Sequence, residues 1–277
     1  MQVHNQNFNI KQIADSGQCF RMNRIEDKDG CDSYGLIAFG RYLELTQIEE
    51  DIVEIDCTEK EYNEVWKDYF DLNYDYSIIV DSLEYGADLF LKDAACYGKG
   101  IRILKQAPFE ATISFIISQN KNIPAIRSCI EAICRHYGEK KICEKSGKEY
   151  HSFPTPQVLS QAIKEDLRAL KTGYRDEYII RAAQAVVNED IKFEALMKCT
   201  FVEAVKKLKG IHGIGEKVAN CIALYGLHHI EGFPVDVWIR KVLEEVYQNN
   251  FNKELYTGYA GIIQQYMFYY MRHLKGV

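Results

Sequence analysis

The sequence predicts an α+β fold: an N-terminal antiparallel β-sheet domain with helices, residues 1–107, followed by an all-helical body, residues 108–277. Three observations carry this. Apolar and polar residues alternate through "YGLIAFGRYLELTQ" and "DIVEIDC", the period of a half-buried strand. From about residue 108 apolar residues recur at spacings of three and four, the period of a helix facing a core. The charge balance changes at the same place. Residues 1–105 hold 11 Lys and Arg against 21 Asp and Glu, and residues 106–277 hold 23 against 19.

Taken in order, the strands are punctuated by Gly35 and Gly40. "CTEKEYNEVWKDYFDL" then reads as a helix with Thr58 as N-cap and an acidic first turn. "PFEATISFIISQN" and "IPAIRSCIEAICRHYG" open the helical body, the second starting near Pro124 and stopping at Gly138. "GEKKICEKSGKEY", 138–150, is expected to be a polar loop and the best candidate for disorder. Helices follow in "TPQVLSQAIKEDLRAL", "YIIRAAQAVVNE" and "FEALMKCTFVEAVKKLKG", and "VDVWIRKVLEEVY" and "YAGIIQQYMFYYMRHL" close the chain. There are no repeats and no low-complexity tract.

Composition excludes several classes. The 277 residues, 47% apolar and 12% aromatic, can bury a sizeable core in one large domain or two ordinary ones. No run of eighteen apolar residues predicts a spanning helix, and the start lacks the basic and apolar regions of a secretion signal. Nine cysteines, an odd number without a CxxC pair, point to reduced thiols in cytoplasm, near the nucleoid if the source is prokaryotic. The net charge of −6 argues against nucleic acid as a general partner. The mildly basic second part leaves a local polyanion-facing surface open.

The stretch "KGIHGIGEKVANCIALYG", 209–226, places Gly210, Gly213 and Gly215 just before an apolar helix pattern. Two helices joined this way form a helix-hairpin-helix, here 209–227. The glycines allow positive φ and close backbone approach. The amides that open the second helix are free donors at the positive end of a dipole, a phosphate site. A tight turn between packed helices with no ligand explains the glycines equally well. Lys217 lies in the first turn, where a cation meets the dipole unfavourably. It reads either as a solvated surface lysine or as an amine kept for nucleophilic work. Cys221, four residues on, shares its helix face. Asp236 in "GFPVDVWIRKVL" is a natural N-cap and needs no further role on local grounds.

In combination these parts are more specific. A helix-hairpin-helix followed about twenty residues later by a "PVDV" capping aspartate resembles the helix-hairpin-helix (HhH-GPD) DNA glycosylase superfamily. The lysine in "GIGEKVANCIAL" looks like its lyase-competent branch. "DSGQCFRM", 15–22, is similar to the "GQxFRW" signature of 8-oxoguanine DNA glycosylases. "SFIISQNKNI", "TGYRDEYI" and "YAGIIQQYMF" resemble that family's asparagine-bearing helix end, glycine-tyrosine-arginine turn and C-terminal glutamine-to-phenylalanine stretch.

The resemblance implies a base-excision repair enzyme that flips 8-oxoguanine out of duplex DNA. By it, Lys217 attacks the sugar and forms a Schiff base, and Asp236 is the essential carboxylate, expected to stay ionised because cap hydrogen bonds lower its pKa. Base recognition falls to the Gly17 carbonyl, to Phe268 and Cys221 on the two base faces, and to Gln264 on the Watson–Crick edge. Core packing is the competing explanation for Phe268. Asn120, Tyr174 and Arg175 are implied in the duplex, as gap filler, wedge and reader of the opposite base. Gly213 and Gly215 are the phosphate-binding hairpin, and the carbonyls of Lys209, Ile211 and Ile214 are implied as seats for a structural monovalent or calcium ion. No cofactor is expected, nor an iron–sulfur cluster, since no cysteine follows Cys221. The expected partner is duplex DNA containing 8-oxoguanine, bound by a monomer away from membranes.

Three positions depart from the family. Met22 stands where the signature ends in Trp, and Trp238 where a histidine often follows "PVDV". Ala125, after Pro124, stands where relatives carry an arginine that reads the estranged cytosine, so opposite-base preference is expected to be relaxed. The rival readings are an alkylated-base glycosylase of the same fold and a non-catalytic helix-hairpin-helix DNA-binding module.

Overall fold

The structure, a computed structural model, describes residues 1–276. Five strands form one antiparallel sheet in the order β1-β5-β4-β3-β2: β1 Gln2–His4, β2 Met22–Arg24, β3 Ser33–Ala38, β4 Arg41–Glu49 and β5 Ile52–Ile55. β3 and β4 pair from Ser33 opposite Thr46 to Ala38 opposite Arg41, a hairpin turning through Phe39 and Gly40, both at positive φ. One sheet face packs on the helical stretch 59–69, burying Leu36, Leu45, Trp66 and Phe70. That stretch starts as its sequence predicts. Thr58 caps it, and the Glu61 side chain bonds back to the Thr58 amide at 3.0 Å.

The rest is a helical body with its own core, joining Ile113, Ile130, Ile179, Leu208, Ile222 and Met267. That core reaches across the sequence-derived boundary at 107. Helices Ser77–Glu84 and Leu89–Gly98 bury Ile79, Leu83 and Leu91 in it, and the second packs along the C-terminal helix Ala260–Leu274. The seam between the cores is held by Arg102, almost wholly buried, whose guanidinium donates to the carbonyls of Phe70, Gln6, Asn7, Asp71 and Tyr74. Five backbone acceptors satisfy a buried charge that would otherwise be costly.

The stretch 138–150 corrects the sequence reading. It folds as a two-stranded hairpin, Lys140–Ile142 with Glu149–His151. Its polar residues give no apolar alternation, so the pattern hides the strands. Contacts to the sheet domain order it: the Tyr150 hydroxyl donates to the Gly40 carbonyl at 3.2 Å, and Lys145 meets Asp56 at 3.1 Å. The single helix expected over "FEALMKCTFVEAVKKLKG" is also two, Phe193–Leu196 and Phe201–Leu208. Thr200 and Glu203 form a capping box that restarts the backbone there.

Candidate active site

The hairpin turn runs between Phe201–Leu208 and a second helix, Glu216–Tyr225, called here the lysine helix. Of its three glycines only Gly213 takes positive φ, at 93°. A Cβ there would lie 2.2 Å from the Tyr178 ring, so both conformation and space require glycine. Gly215 is the N-cap in extended backbone, with nothing within 4 Å of where its Cβ would stand, and it leaves the helix amides open to approach. The amides and Gly215 have the form of an anion site.

Lys217, in the first turn, is half-buried, with its ammonium 5.8 Å from the centre of the Phe115 ring. Cys221 lies one turn on, buried on the same face. Burial pushes its thiol up, and the Lys217 ammonium pulls the other way. Asp236 caps the next helix, Val237–Lys241, accepting from the amides of Trp238 at 3.0 Å and Ile239 at 2.8 Å. Its pKa corrects the sequence expectation. Burial raises the carboxyl above its ordinary value, outweighing both amides and the lowering pull of Lys217.

These groups face one cavity of about 690 Å³. On one wall stand Gly215, Lys217, Cys221, Asp236 and Trp238, whose ring carries the Lys241 ammonium at 4.6 Å. Gly17, Gln264 and Phe268 line the same cavity and are taken together here as its second wall, and exposed Asn120 also lines it. Gly17 has φ of 75°, and a Cβ there would lie 3.1 Å from the Phe268 ring. Phe268 is half-exposed toward the cavity, unlike Tyr266 and Met267 beside it, which are buried. Buried Gln264 has its Oε1 3.3 Å from the Tyr225 hydroxyl.

Asn120 ends the Pro108–Ser118 helix in the left-handed region, φ 49°, a conformation asparagine tolerates better than most residues. Its Nδ2 is 3.4 Å from the hydroxyl of Tyr174, which is half-exposed. Arg175 is turned inward rather than toward a duplex. Its guanidinium is buried under Tyr174, 4.3 Å from that ring, and donates to the carbonyls of Thr172 and Gln119. The turn at Lys171 and Gly173, both at positive φ, exposes carbonyls that need a donor, and Arg175 supplies it. In this structure it braces the Tyr174–Asn120 rim rather than projecting from it. The ion seats lie outside the cavity. The Ile211 carbonyl accepts from the Ile214 amide at 3.1 Å, and those of Lys209 and Ile214 accept no hydrogen bond among the described residues.

Sequence reasoning missed several residues in the cavity and behind it. Phe115 and Tyr225 stack at 5.2 Å beneath Lys217 and read along the chain as plain core positions. Gln18 is wholly buried, with its amide shared among Ser16 Oγ, the Arg102 carbonyl and the Leu104 amide. Its place inside "GQCFR" was the available signal.

Comparison with known proteins agrees with this geometry. Residues 1–112 match the 8-oxoguanine DNA glycosylase N-terminal domain, and residues 113–257 match the HhH-GPD superfamily base excision DNA repair protein. A Saccharomyces cerevisiae N-glycosylase/DNA lyase is 37% identical over 59% of this chain, an alignment that spans only 47% of the yeast protein. A probable N-glycosylase/DNA lyase of Methanothermobacter thermautotrophicus is 30% identical over 79% of this chain and 77% of its own length. The crystal structure of Clostridium acetobutylicum 8-oxoguanine glycosylase/lyase with duplex DNA containing cytosine opposite 8-oxoguanine superposes with a TM-score of 0.88 at 35% identity, covering 98% of this chain and 93% of that one. The chain belongs to the HhH-GPD superfamily of base excision DNA repair proteins and carries the N-terminal domain of its 8-oxoguanine DNA glycosylases.

Proposed function

We propose that this protein is a bifunctional 8-oxoguanine DNA glycosylase and abasic-site lyase acting on duplex DNA. The observation that carries the reading is the shared cavity, with Lys217 and Asp236 on one wall and Gly17, Gln264 and Phe268 on the other. Its volume lies within the roughly 300–1,000 Å³ of ordinary ligand sites.

In this reading the flipped base enters the cavity and the hairpin amides hold a backbone phosphate. The Lys217 amine attacks C1′, and the glycosidic bond breaks with its electron pair leaving on the base, which takes up a proton. The Asp236 carboxylate stabilises positive charge developing on the sugar. Opening of the sugar ring gives a Schiff base. Loss of a C2′ proton then expels the 3′ phosphate and cuts the strand. The Gly17 carbonyl accepts the N7–H that 8-oxoguanine has and guanine lacks, so one hydrogen bond separates the two. Phe268 stacks on the base, Cys221 lies against its other face and Gln264 reads its edge. Asn120 and Tyr174 occupy the vacated duplex, braced by Arg175. With Ala125 in place of an arginine, the opposite base is read weakly. The chemistry asks for no cofactor. A structural monovalent or calcium ion would sit on the hairpin carbonyls of Lys209, Ile211 and Ile214, the first and last of which accept no hydrogen bond among the described residues.

Borohydride trapping on an 8-oxoguanine duplex tests the reading. A covalent protein–DNA adduct is expected. Base release without an adduct points instead to an alkylated-base type of chemistry, and binding without either to a non-catalytic module.

A further inference from the structure

The slot for the base is made of parts from two different cores. The Gly17 carbonyl belongs to the loop after the first helix, Ile10–Asp15, which packs in the sheet core. Gln264 and Phe268 belong to the C-terminal helix of the other core. A single hydrogen bond discriminates only if its acceptor sits within a few tenths of an ångström of the right place. Something must therefore hold the loop to the helix.

Two side chains of the C-terminal helix do so. Buried Gln265 accepts the Tyr225 hydroxyl on Oε1 and donates from Nε2 to the Ser16 carbonyl at 2.5 Å. Arg272 donates to the Asp15 carbonyl at 2.9 Å, and its guanidinium lies 5.5 Å from the centre of the Phe268 ring. The two residues are seven positions apart, two helical turns, so they project from one face with Phe268 between them. They grip the two consecutive carbonyls immediately before Gly17. Tyr225 in turn stacks on Phe115, the ring beneath Lys217. The chain Phe115–Tyr225–Gln265–Ser16 thus runs from the lysine wall to the reading loop.

We infer that Gln265 and Arg272 are positioning residues for lesion discrimination: they set the distance between the Gly17 carbonyl and the Phe268 ring, Gln265 from inside the core and Arg272 from the edge of the cavity lining. The inference rests on the glycosylase reading above. Neither residue is needed to bind an abasic site, which has no base to place.

The test compares single-turnover excision of 8-oxoguanine with cleavage of a preformed abasic site by the same full-length variants. Gln265→Met keeps the side-chain volume and removes both hydrogen bonds; Arg272→Ala removes the second grip, and Arg272→Lys restores a donor. Losing one buried hydrogen bond corresponds to about three- to tenfold. Excision should fall by that factor in Arg272→Ala and, with two bonds lost, by about ten- to a hundredfold in Gln265→Met, with abasic-site cleavage unchanged and Arg272→Lys closer to wild type. The discrimination of 8-oxoguanine from guanine should narrow in parallel. Equal losses in excision and abasic cleavage, or unchanged excision with a lowered melting temperature, would reduce the pair to structural supports and overturn the inference. If Gln265→Met does not fold, the half-buried Arg272 variants decide alone. A wild-type protein that cleaves abasic sites but never excises 8-oxoguanine would refute the function itself, and this inference with it.

Discussion

The two walls of the cavity are built in opposite ways. Lys217 and Asp236 lie in one continuous stretch, each at the start of its own helix, and each is presented by local backbone: a glycine N-cap for the first, its own capping bonds for the second. Gly17, Gln264 and Phe268 come from the two ends of the chain and meet only because two cores dock. Under the proposed function the first is a chemical wall, tolerant of small shifts between the cores, and the second a reading wall defined by them. Bond-making and base-reading should be separable by mutation.

The largest expected effect is on the chemical wall. Lys217→Gln should lower excision and strand cleavage by at least about a thousandfold, as loss of a covalent nucleophile does, and abolish borohydride trapping. Binding to an 8-oxoguanine duplex, measured by fluorescence anisotropy, should survive. Trapping at wild-type level in this variant would remove Lys217 from the mechanism.

Asp236→Asn should cost about a hundred- to a thousandfold in turnover, the scale of a lost electrostatic stabiliser. Asparagine caps as well as aspartate, so the helix should persist. Because burial raises the folded carboxyl above its ordinary value of 3.8, the acid limb of the rate profile should lie above that pH. The stability effect has the opposite sign. The folded state holds this proton more tightly than the unfolded one, so stability is lost as pH climbs from 3.8 through the folded pKa. Thermal melts of the two proteins should therefore diverge over that window in favour of the variant. A melting temperature that collapses in Asp236→Asn while turnover of the folded fraction stays normal would leave only a cap.

Gly17→Ala attacks the reading wall. The new methyl would be held at φ of 75° and 3.1 Å from the Phe268 ring. A cost of about 1–3 kcal/mol in stability is expected, with excision down roughly tenfold or more and abasic-site cleavage spared. Parallel loss of both activities would mean that the two walls are not independent.

The smallest effect concerns the opposite strand. Ala125 is half-buried in the first turn of the Ile123–Tyr137 helix, with its amide capped by Asn122 at 2.9 Å, a place an arginine side chain can leave without disturbing the cap. A bidentate base contact is worth about 1–3 kcal/mol. Ala125→Arg should therefore sharpen the preference for cytosine by about tenfold in single-turnover assays against all four opposite bases. A wild-type protein already strict for cytosine would show that another residue does this reading.

Features dictated by local physics are legible along the chain. Period-two and period-3.6 patterns placed the sheet and the helical body, and Thr58, Gly213 and Asp236 announced their caps and turn because those signals act over a few residues. The chemical wall was legible for the same reason. Long-range packing set the rest. It joined helices 77–98 to the body rather than to the sheet, and ordered 138–150 through contacts to Gly40 and Asp56 that no local pattern encodes. It turned Arg175 inward to satisfy the carbonyls of a left-handed turn. It raised the Asp236 carboxyl, because burial depends on what packs around a group, and the capping bonds visible in sequence were the smaller influence. Gln265 and Arg272 look in sequence like any polar residues of a helix. Their grip on Asp15 and Ser16, about 250 residues away, exists only once both cores have docked.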